Sequence, residues 1–474
     1  MSYMAIPTNI FRGYDIRGLT GSELTPELLN TLGKAYATFL YRRQIRECVV
    51  GMDIRETSPA YKEAFIKGLT TQGIDVIDFG LTLTQIMYFA QYHYLSKGGA
   101  MITASHNPRE FNGLKLAVGF SDTLVGSEIQ EIRQIAESGQ FAGWGKEGTV
   151  TIDDVFPSYK ADLFKRIPLH DSGLTVVVDS SCATTGKFLP EILREAGCTV
   201  IEQNTNLDPT FPLGTPDPTE ESVLKRLSDR VLAEGADLGV TYDSDGDRLG
   251  VVDSTGRLLW NDILVALFSK DILHFLPGSP IVFNALCSKT VIDTIHAAGG
   301  VPTMWLTGHS FIKAKVRETR APFGGELSGH FFFMDNFFGH DDGAFATLRL
   351  LQFLKREGKK LSQVVDELPA YIGSPEIKLG LGDQIKFDFI KNHFAKDLTE
   401  LFPNATYTDI DGFRADSETG MAIIRASQNG PYVTIKFEGK TQEEYDRLKV
   451  SLRDILKKYP EVDWTSGVNT HAFE

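Results

Sequence analysis

"MITASHNP", residues 101–108, is a short apolar strand that ends in a cluster of polar residues. The strand begins near Gly98, and Ser105, His106 and Asn107 follow it directly. Open α/β sheets bind their ligands just beyond the carboxyl ends of the strands. The stretch therefore predicts an α/β sheet with a functional edge at Ser105, although Ser, Asn and Pro are also typical of a cap or turn.

A strand–helix–strand unit recurs three times along the chain. The units begin at "ECVVGMDI" (47–54), "LTVVVDSS" (174–181) and "SPIVFNAL" (279–286). Strands that alternate with amphipathic helices predict mainly parallel sheets covered on both faces. After about residue 372 the order changes to a strand, a long helix, two hairpin-like strands and a charged helix, which predicts an α+β domain.

The predicted fold class is therefore three similar α/β domains with mixed, mainly parallel sheets, followed by a C-terminal α+β domain. The predicted domain bounds are 1–151, 152–257, 258–372 and 373–474.

Composition narrows the classes of function. The 474 residues include 62 Asp and Glu against 48 Lys and Arg, and the net charge of −14 argues against a nucleic-acid-binding surface. Four widely spaced cysteines without C-x-x-C pairing fit a reducing compartment. Neither a secretory leader nor an apolar membrane span is evident. We expect a cytoplasmic protein.

"YDSDGDRLG" (242–250) carries the strongest chemical signal. Asp243, Asp245 and Asp247 alternate, so in an extended segment their carboxylates would point to one side and repel unless a cation neutralised them. All-oxygen ligands favour Mg²⁺. A calcium loop is excluded, because Arg248 and Ser254 stand where such a loop needs Gly and Glu. A solvated acidic turn is the remaining alternative.

Ser105 gains a second interpretation from this cluster. A serine needs an adjacent base to act as a nucleophile, and neither a Gly-x-Ser-x-Gly elbow nor a triad is visible. A phosphoserine, however, carries nearly two negative charges and would suit a Mg²⁺ site. Ser105 could then store a phosphoryl group.

Three further loops combine glycine with polar side chains. "GGELSGHFFF" (324–333) places Glu326, Ser328 and His330 at alternate positions, which would suit neighbouring hydroxyls. "TGHSFIK" (307–313) follows a strand and opens a helix, whose N-terminal N–H groups attract anions. "RASQNG" (425–430) joins two strands as a plausible phosphate cradle. Each could instead be structural: a satisfied histidine or plain turn chemistry. Asp341 and Asp342 are predicted to cap the following helix.

Taken together and in this order, the motifs resemble the α-D-phosphohexomutases, specifically the bacterial phosphomannomutase/phosphoglucomutase branch. The resemblance rests on "FRGYDIRG", "GMDIRETSP", "TASHNP", "DSDGDR", "GHSFIK", "GGELSGH" and "RASQNG", which match along the whole chain. It implies four domains around a central cleft, with one loop from each domain. It also implies reversible conversion between hexose 1-phosphate and hexose 6-phosphate, of mannose or glucose, through a hexose 1,6-bisphosphate intermediate.

The resemblance assigns roles to individual residues. The implied metal ligands are Ser105, as phosphoserine, with Asp243, Asp245 and Asp247. The implied catalytic residues are Ser105, His106, Lys115, Arg248, His309 and His330. The implied substrate-binding residues are Tyr14, Arg17, Lys289, Gly308, His309, Glu326, Ser328, His330, Arg425, Ser427, Gln428 and Asn429. Which of Lys115, His309 and His330 moves the hydroxyl protons is left open.

The implied cofactors are Mg²⁺ and hexose 1,6-bisphosphate (glucose 1,6-bisphosphate) as activator. The implied partners are phosphorylated hexoses, with neither nucleic acid nor membrane, and the chain is expected to be a monomer or small homo-oligomer. In the phosphate loop, Gln428, Asn429 and Gly430 replace the hydroxyl residues frequent in the family. Two alternatives are an Mg²⁺-dependent sugar-phosphate phosphatase or phosphotransferase, and a catalytically silent sugar-phosphate sensor.

Overall fold

The computed structural model describes residues 6–427 and 430–474 and divides the chain into two compact units. Unit 1 comprises Met1–Asn261 and Ser328–Ser362, and unit 2 comprises Asp262–Leu327 and Gln363–Glu474. No helix in the described part of the chain is long and apolar enough to span a bilayer.

The first sheet of unit 1 has the strand order β1-β5-β4-β2-β3-β7, with β6 beside β5. Strands β4, β2, β3 and β7 run parallel, whereas β5 is antiparallel to its neighbours. Helices α1 and α2 cross closely because neither Gly33 nor Gly68 has a side chain at the crossing. The elements are β1 (Ile16–Leu19), α1 (Pro26–Arg42), β2 (Glu47–Met52), α2 (Ser58–Thr71), β3 (Asp75–Leu81), α3 (Thr84–His93), β4 (Gly98–Ile102), β5 (Phe111–Val118), β6 (Asp122–Thr123), α4 (Gly126–Ser138) and β7 (Val150–Ile152).

The second sheet of unit 1 has the order β12-β11-β10-β8-β9. Strand β8 is parallel to β9 and β10, and β10 turns back antiparallel into β11. The elements are α5 (Phe156–Arg166), β8 (Thr175–Asp179), α6 (Leu189–Glu195), β9 (Thr199–Gln203), α7 (Glu221–Glu234), β10 (Leu238–Tyr242), β11 (Leu249–Asp253) and β12 (Leu258–Leu259).

The third region is shared between the units. In unit 2, β13 lies between β14 and β15 and is parallel to both. Strand β16 and helix α11 belong to unit 1. The elements are α8 (Asn261–Phe275), β13 (Pro280–Asn284), α9 (Lys289–Ala297), β14 (Val301–Trp305), α10 (His309–Thr319), β15 (Phe323–Gly325), β16 (Phe331–Phe333), α11 (Gly343–Glu357) and α12 (Leu361–Asp366).

The C-terminal part of unit 2 is an antiparallel sheet with the order β19-β20-β21-β22-β18-β23, and β17 beside β22. Its apolar face packs against the helices in one hydrophobic core. The elements are β17 (Ile372–Gly373), β18 (Ile377–Gly380), α13 (Lys386–Phe389), α14 (Ala395–Leu401), β19 (Thr406–Thr408), β20 (Phe413–Asp416), β21 (Gly420–Ala426), β22 (Tyr432–Gly439), α15 (Gln442–Lys457) and β23 (Asp463–Val468). A π-helix (Ile390–Phe394) joins α13 to α14, and 3₁₀-helices cover Thr8–Ile10, Thr184–Lys187 and Thr470–Phe473.

The predicted fold class is confirmed, with mixed sheets and helices in the order that the sequence indicated. Two local predictions were wrong. The segments that carry the alternating polar residues, 243–247 and 326–330, are turns rather than extended chain, and Gly246 and Gly329 adopt positive φ there. Glycine reaches such values without the steric penalty of a Cβ.

Candidate active site

Ser105 lies in the first turn after β4, with its backbone in the left-handed region at φ 50°. Its amide donates to Thr103 Oγ1 at 2.8 Å. Its buried hydroxyl donates to Asp243 Oδ2 at 2.6 Å and lies 3.0 Å from His106 Nδ1. Ser105 is thus a turn residue whose hydroxyl also faces a carboxylate and an imidazole.

His106 is uncharged near neutral pH. Burial lowers the pKa of its imidazole well below the usual value, and the cations Arg248 and Arg17 lower it further. A neutral imidazole beside Ser105 Oγ can accept a proton from that hydroxyl.

The three aspartates occupy the turn between β10 and β11 and are fully buried. One carboxylate oxygen of each lies within 4.8 Å of one oxygen of each of the others. Asp243 Oδ1 accepts hydrogen bonds from the amides of Gly246 and Arg248, at 3.1 and 3.2 Å. Burial and the charges of Asp247 and Asp245 raise the pKa of Asp243 well above its usual value. The turn therefore produces the convergence that the sequence attributed to an extended segment.

Lys115 and Thr84 complete the polar surroundings of this cluster. The Lys115 ammonium, on β5, lies 2.8 Å from Asp245 Oδ2 and also contacts Asp247. Thr84 Oγ1, at the start of α3, donates to the same Asp245 oxygen at 2.6 Å. Burial alone would lower the pKa of Lys115, but the carboxylates outweigh it and raise the pKa. Lys115 is thus a buried cation that the neighbouring carboxylates keep charged.

The donor set fits a divalent cation. Asp245 Oδ1 and Asp247 Oδ1 are buried, and neither accepts a hydrogen bond from any residue that the structure describes. Buried carboxylate oxygens of this kind are costly unless they have a partner. Oxygen-only ligands suit Mg²⁺, which also keeps positions for water or a phosphate oxygen.

Arg248 and His330 form a second polar group in unit 1. Arg248 Nε donates to His330 Nε2 at 3.0 Å, and His330 Nδ1 lies 2.8 Å from Asp341 Oδ2. Asp342 accepts a hydrogen bond from the Phe345 amide at 2.9 Å and caps α11, as the sequence predicted. Asp341 was also predicted to cap this helix, but the cap residue is Asp342, and Asp341 contacts His330 instead.

Arg17 ties β1 to the serine loop. Its guanidinium donates to Asp15 Oδ2 and to Asn107 Oδ1, both at 2.8 Å. Tyr14 is half-buried in the preceding turn. Of the two predicted substrate-binding residues of the first domain, Arg17 therefore contacts the loop that carries Ser105.

In unit 2 the predicted sugar-binding groups lie at the carboxyl ends of β13, β14 and β15. The Gly308 amide donates to Glu326 Oε1 at 2.7 Å. Asn284 links the two loops, because its Oδ1 accepts from the Leu327 amide at 3.0 Å and its Nδ2 donates to Thr307 Oγ1 at 3.2 Å. Glu326 is thus fixed next to the segment that carries His309.

His309 is the first residue of α10. Its side chain is buried, and Nε2 lies 3.4 Å from Ser310 Oγ. Of the other members of the predicted sugar loop, Ser328 and His330 belong to unit 1 and Glu326 to unit 2.

Arg425 is held by a carboxylate that sequence reasoning did not identify. Asp411 Oδ2 accepts from Arg425 Nε at 2.9 Å and from the Thr307 amide at 3.0 Å. One oxygen therefore links the predicted phosphate loop to the His309 loop. An isolated aspartate in a turn carries no sequence signal for such a role.

The remaining predicted ligands of unit 2 lie at helix and strand ends. Lys289 begins α9, and its ammonium donates to Asp293 Oδ1 at 2.5 Å. Lys386 Nζ donates to the carbonyls of Ser427 at 2.5 Å and Gly430 at 2.9 Å. Gln428 and Asn429 lie outside the described residues.

Similarity to known proteins shows that the chain is an enzyme of the phosphomutase class and identifies its family. Three family models match in chain order: phosphoglucomutase/phosphomannomutase alpha/beta/alpha domain I at residues 8–143, domain II at 157–256 and domain III at 260–371. The chain belongs to the phosphoglucomutase/phosphomannomutase family.

Individual relatives agree over nearly the whole length. Phosphomannomutase/phosphoglucomutase of Pseudomonas aeruginosa is 37% identical, over 95% of this chain and 96% of that protein. Phosphoglucomutase of Neisseria gonorrhoeae is 33% identical, over 97% and 99%. The crystal structure of a phosphoglucomutase/phosphomannomutase family protein from Burkholderia thailandensis superposes with a TM-score of 0.87 at 31% identity, covering 96% of this chain and 98% of that one.

Proposed function

We propose that this chain interconverts hexose 1-phosphate and hexose 6-phosphate, with mannose, glucose or both as the sugar. The route is a phosphoserine at Ser105 and a hexose 1,6-bisphosphate intermediate. The observation that carries the proposal is the buried Ser105 hydroxyl, 2.6 Å from one of three buried carboxylates. The names of the relatives, phosphomannomutase/phosphoglucomutase and phosphoglucomutase, support the same chemistry.

In the first half of the reaction, the bond between phosphorus and Ser105 Oγ breaks, and a bond from the sugar hydroxyl oxygen to phosphorus forms. The sugar hydroxyl loses its proton to a base, for which His330 and His309 are the candidates. Ser105 Oγ gains a proton in this step and gives it up in the reverse transfer, so one group must carry that proton in both directions. His106, whose Nδ1 lies 3.0 Å from that oxygen, is the candidate. The Lys115 ammonium stays charged beside Asp245 and neutralises part of the charge there.

Charge stabilisation accounts for much of the catalysis in phosphoryl transfer. A magnesium ion held by Asp243, Asp245, Asp247 and the phosphate of Ser105 would neutralise charge on the transferring group. Arg248, with its pKa raised by Asp217 and Asp243 despite the opposing effect of burial, stays cationic beside them.

The bisphosphate then turns around so that its other phosphate returns to Ser105. In this proposal Glu326 and Ser328 hold neighbouring sugar hydroxyls in both poses. Hexose 1,6-bisphosphate also serves as activator, because it rephosphorylates a chain that has lost the phosphoryl group. The loop assigned to the non-reacting phosphate is that of Arg425, Ser427, Gln428 and Asn429. Tyr14, Arg17, Lys289 and Gly308 are assigned to the substrate without a choice between its two phosphates.

The test is steady-state turnover of glucose 1-phosphate and mannose 1-phosphate, each with Mg²⁺ and a trace of glucose 1,6-bisphosphate. We expect the 6-phosphate to form from at least one sugar. Ser105→Ala should lower kcat on the order of 10⁴-fold or more, because the phosphoryl carrier is gone.

A matched control is Ser269→Ala, since Ser269 is also buried but its hydroxyl donates to the Val265 carbonyl inside α8. That variant should turn over like the wild type. Release of inorganic phosphate without isomerisation would favour the phosphatase alternative, and binding without turnover would favour the sensor.

A further inference from the structure

Arg55 is a buried arginine to which the proposed mechanism gives no role. It follows β2 in "GMDIRETSP", and its side chain is 1% exposed. Its guanidinium lies 5.1 Å from the ring centroid of Phe211. Burial of a guanidinium costs free energy unless every N–H donor has a hydrogen-bond acceptor. The acceptors of Arg55 therefore indicate its structural role.

All five N–H donors of Arg55 are used, and four of them go to the loop that carries Ser105. Nε donates to Asp53 Oδ2 at 3.1 Å. The acceptors on the loop are the carbonyls of Ser105 (2.7 Å), Asn107 (2.7 Å), Pro108 (2.8 Å) and Phe111 (3.0 Å).

Asp53 extends the same network to the other side of Ser105. Its Oδ2 accepts from Thr103 Oγ1 at 2.8 Å, and Thr103 Oγ1 accepts from the Ser105 amide at 2.8 Å. Both the amide and the carbonyl of Ser105 are therefore fixed, directly or through Thr103, by the Asp53–Arg55 pair.

The serine needs such support because its backbone is in the left-handed region, at φ 50°. A residue with a Cβ is disfavoured there and persists only when surrounding contacts impose the conformation. The direction of Ser105 Oγ toward Asp243 depends on that conformation, since a normal β or helical backbone would point the side chain elsewhere.

We propose that Arg55 is a positioning residue for phosphoryl transfer: its planar fork of donors sets the place of Ser105 Oγ. The inference rests on the proposed function. The proposed positioning role requires the geometry of the guanidinium and not only its charge. Lysine keeps the charge but has three donors on one atom, so it cannot satisfy four separate carbonyls.

The test compares Arg55→Lys with the wild type and with Arg226→Lys. Arg226 is a matched control, because it also pairs with a buried aspartate, Asp179, and supports a loop after a strand, but in the second domain. Misplacement of a reacting atom by about 1 Å costs roughly 100-fold in rate. We expect Arg55→Lys to lose about 100-fold in kcat with KM within about twofold, and Arg226→Lys to keep both.

A second pair of variants covers the case in which Arg55→Lys does not fold. Thr103→Val removes the hydroxyl that joins Asp53 to the Ser105 amide, whereas Thr103→Ser keeps it. We expect the first to lose about tenfold in kcat and the second to stay within about threefold, with melting temperatures measured for each.

Intact-mass measurement of Ser105 phosphorylation by glucose 1,6-bisphosphate gives a direct readout, and the rate should fall in parallel with kcat. Wild-type kcat in folded Arg55→Lys, or equal loss in Thr103→Val and Thr103→Ser, would overturn the inference. An inactive wild type would instead refute the proposed function, so the two failures are distinguishable.

Discussion

Each unit contains a candidate site loop whose main chain is held by a buried arginine, but the two arrangements differ. In unit 1, Arg55 uses four donors on the serine loop and one on Asp53. In unit 2, Arg414 forms two bonds to Asp416 and only two to the loop before α9, at the carbonyls of Ala285 (2.7 Å) and Cys287 (2.5 Å).

More side chains hold the unit 2 loop than hold the serine loop. They lie on the C-terminal sheet and not on the sheet whose strand leads into the loop. Lys436 Nζ, on β22, donates to the Leu286 carbonyl at 3.2 Å and to Asp262 Oδ2 at 2.6 Å. Glu438 Oε1, on the same strand, accepts from the Lys289 amide at 2.5 Å. The serine loop is thus fixed within its own domain, whereas the place of Lys289 depends on the C-terminal sheet. Chemistry should therefore be sensitive to unit 1, and substrate affinity to unit 2.

Removal of one carboxylate from the unit 1 cluster should have the largest effect. Asp247→Asn takes away one of the charges that fit a divalent cation and contacts Lys115. We expect kcat to fall about 1,000-fold and the half-saturating Mg²⁺ concentration to rise, since charge stabilisation of the transferring group is lost. A Mg²⁺ titration of turnover measures both.

Asp253→Asn is a suitable control, because Asp253 is buried at the far end of β11 and only supports its own turn. It should lose stability and keep kcat per folded molecule. Unchanged kcat in Asp247→Asn at saturating Mg²⁺ would contradict the expectation that the chemical step is more sensitive to changes in unit 1 than in unit 2.

Arg414→Lys should have a smaller and different effect from Arg55→Lys. With fewer donors, the lysine cannot hold Asp416 and both loop carbonyls, so the start of α9 and Lys289 should shift. We expect KM for the hexose phosphate to rise about tenfold, with kcat within about threefold. Full kinetic curves for both variants measure the contrast.

Arg447→Lys provides the control within the C-terminal domain, since Arg447 pairs with Glu444 on the exposed face of α15. A loss of kcat in Arg414→Lys as large as that in Arg55→Lys would show that both arginines serve the same step.

The smallest expected effect concerns the stability of unit 1. Burial raises the pKa of Asp342 to about 7, from an ordinary value of 3.8 in the unfolded chain. The folded protein therefore holds a proton that the unfolded chain releases, and stability is lost as pH rises through about 7. Asp342→Asn keeps the helix cap and should abolish this pH dependence of stability. In the wild type we expect it to lower the melting temperature by about 3 °C between pH 5 and 8. Melting curves at both values test it, and an unchanged slope would contradict the assignment.

Much of the fold could be predicted because the signals were local. The apolar runs at β4, β8 and β13 and the helices after them have the periodicity that burial requires. Ser105 could be predicted as a site residue because polar residues crowd the end of β4. The aspartates could be predicted because they lie between the apolar strands β10 and β11, and Arg425 because a Gly-containing polar loop follows β21. The turns at 243–247 and 326–330 could not be predicted from the alternation of polar residues, because that pattern is typical of strands. The sequence signal for a turn in each segment is its glycine, Gly246 or Gly329.

Other site residues could not have been predicted without the fold. Asp411 reaches Arg425 across 14 positions, and Thr84 reaches Asp245 across 161. Neither residue belongs to a pattern, since each acts through a contact between distant segments. Arg55 lies between these two cases. Its motif can be recognised in the sequence, but its role follows only from the carbonyls that surround it in the structure.

The Lys115 ammonium between Asp245 and Asp247 has a consequence for handling the protein. Three carboxylates within 4.8 Å of one another would repel in an ion-free site, yet here an internal cation is already bound to two of them. The chain should therefore survive chelation in a folded, reloadable form. A preparation stripped of divalent ions and stored is expected to recover full turnover when magnesium is returned, because the lysine has kept the ligands in place.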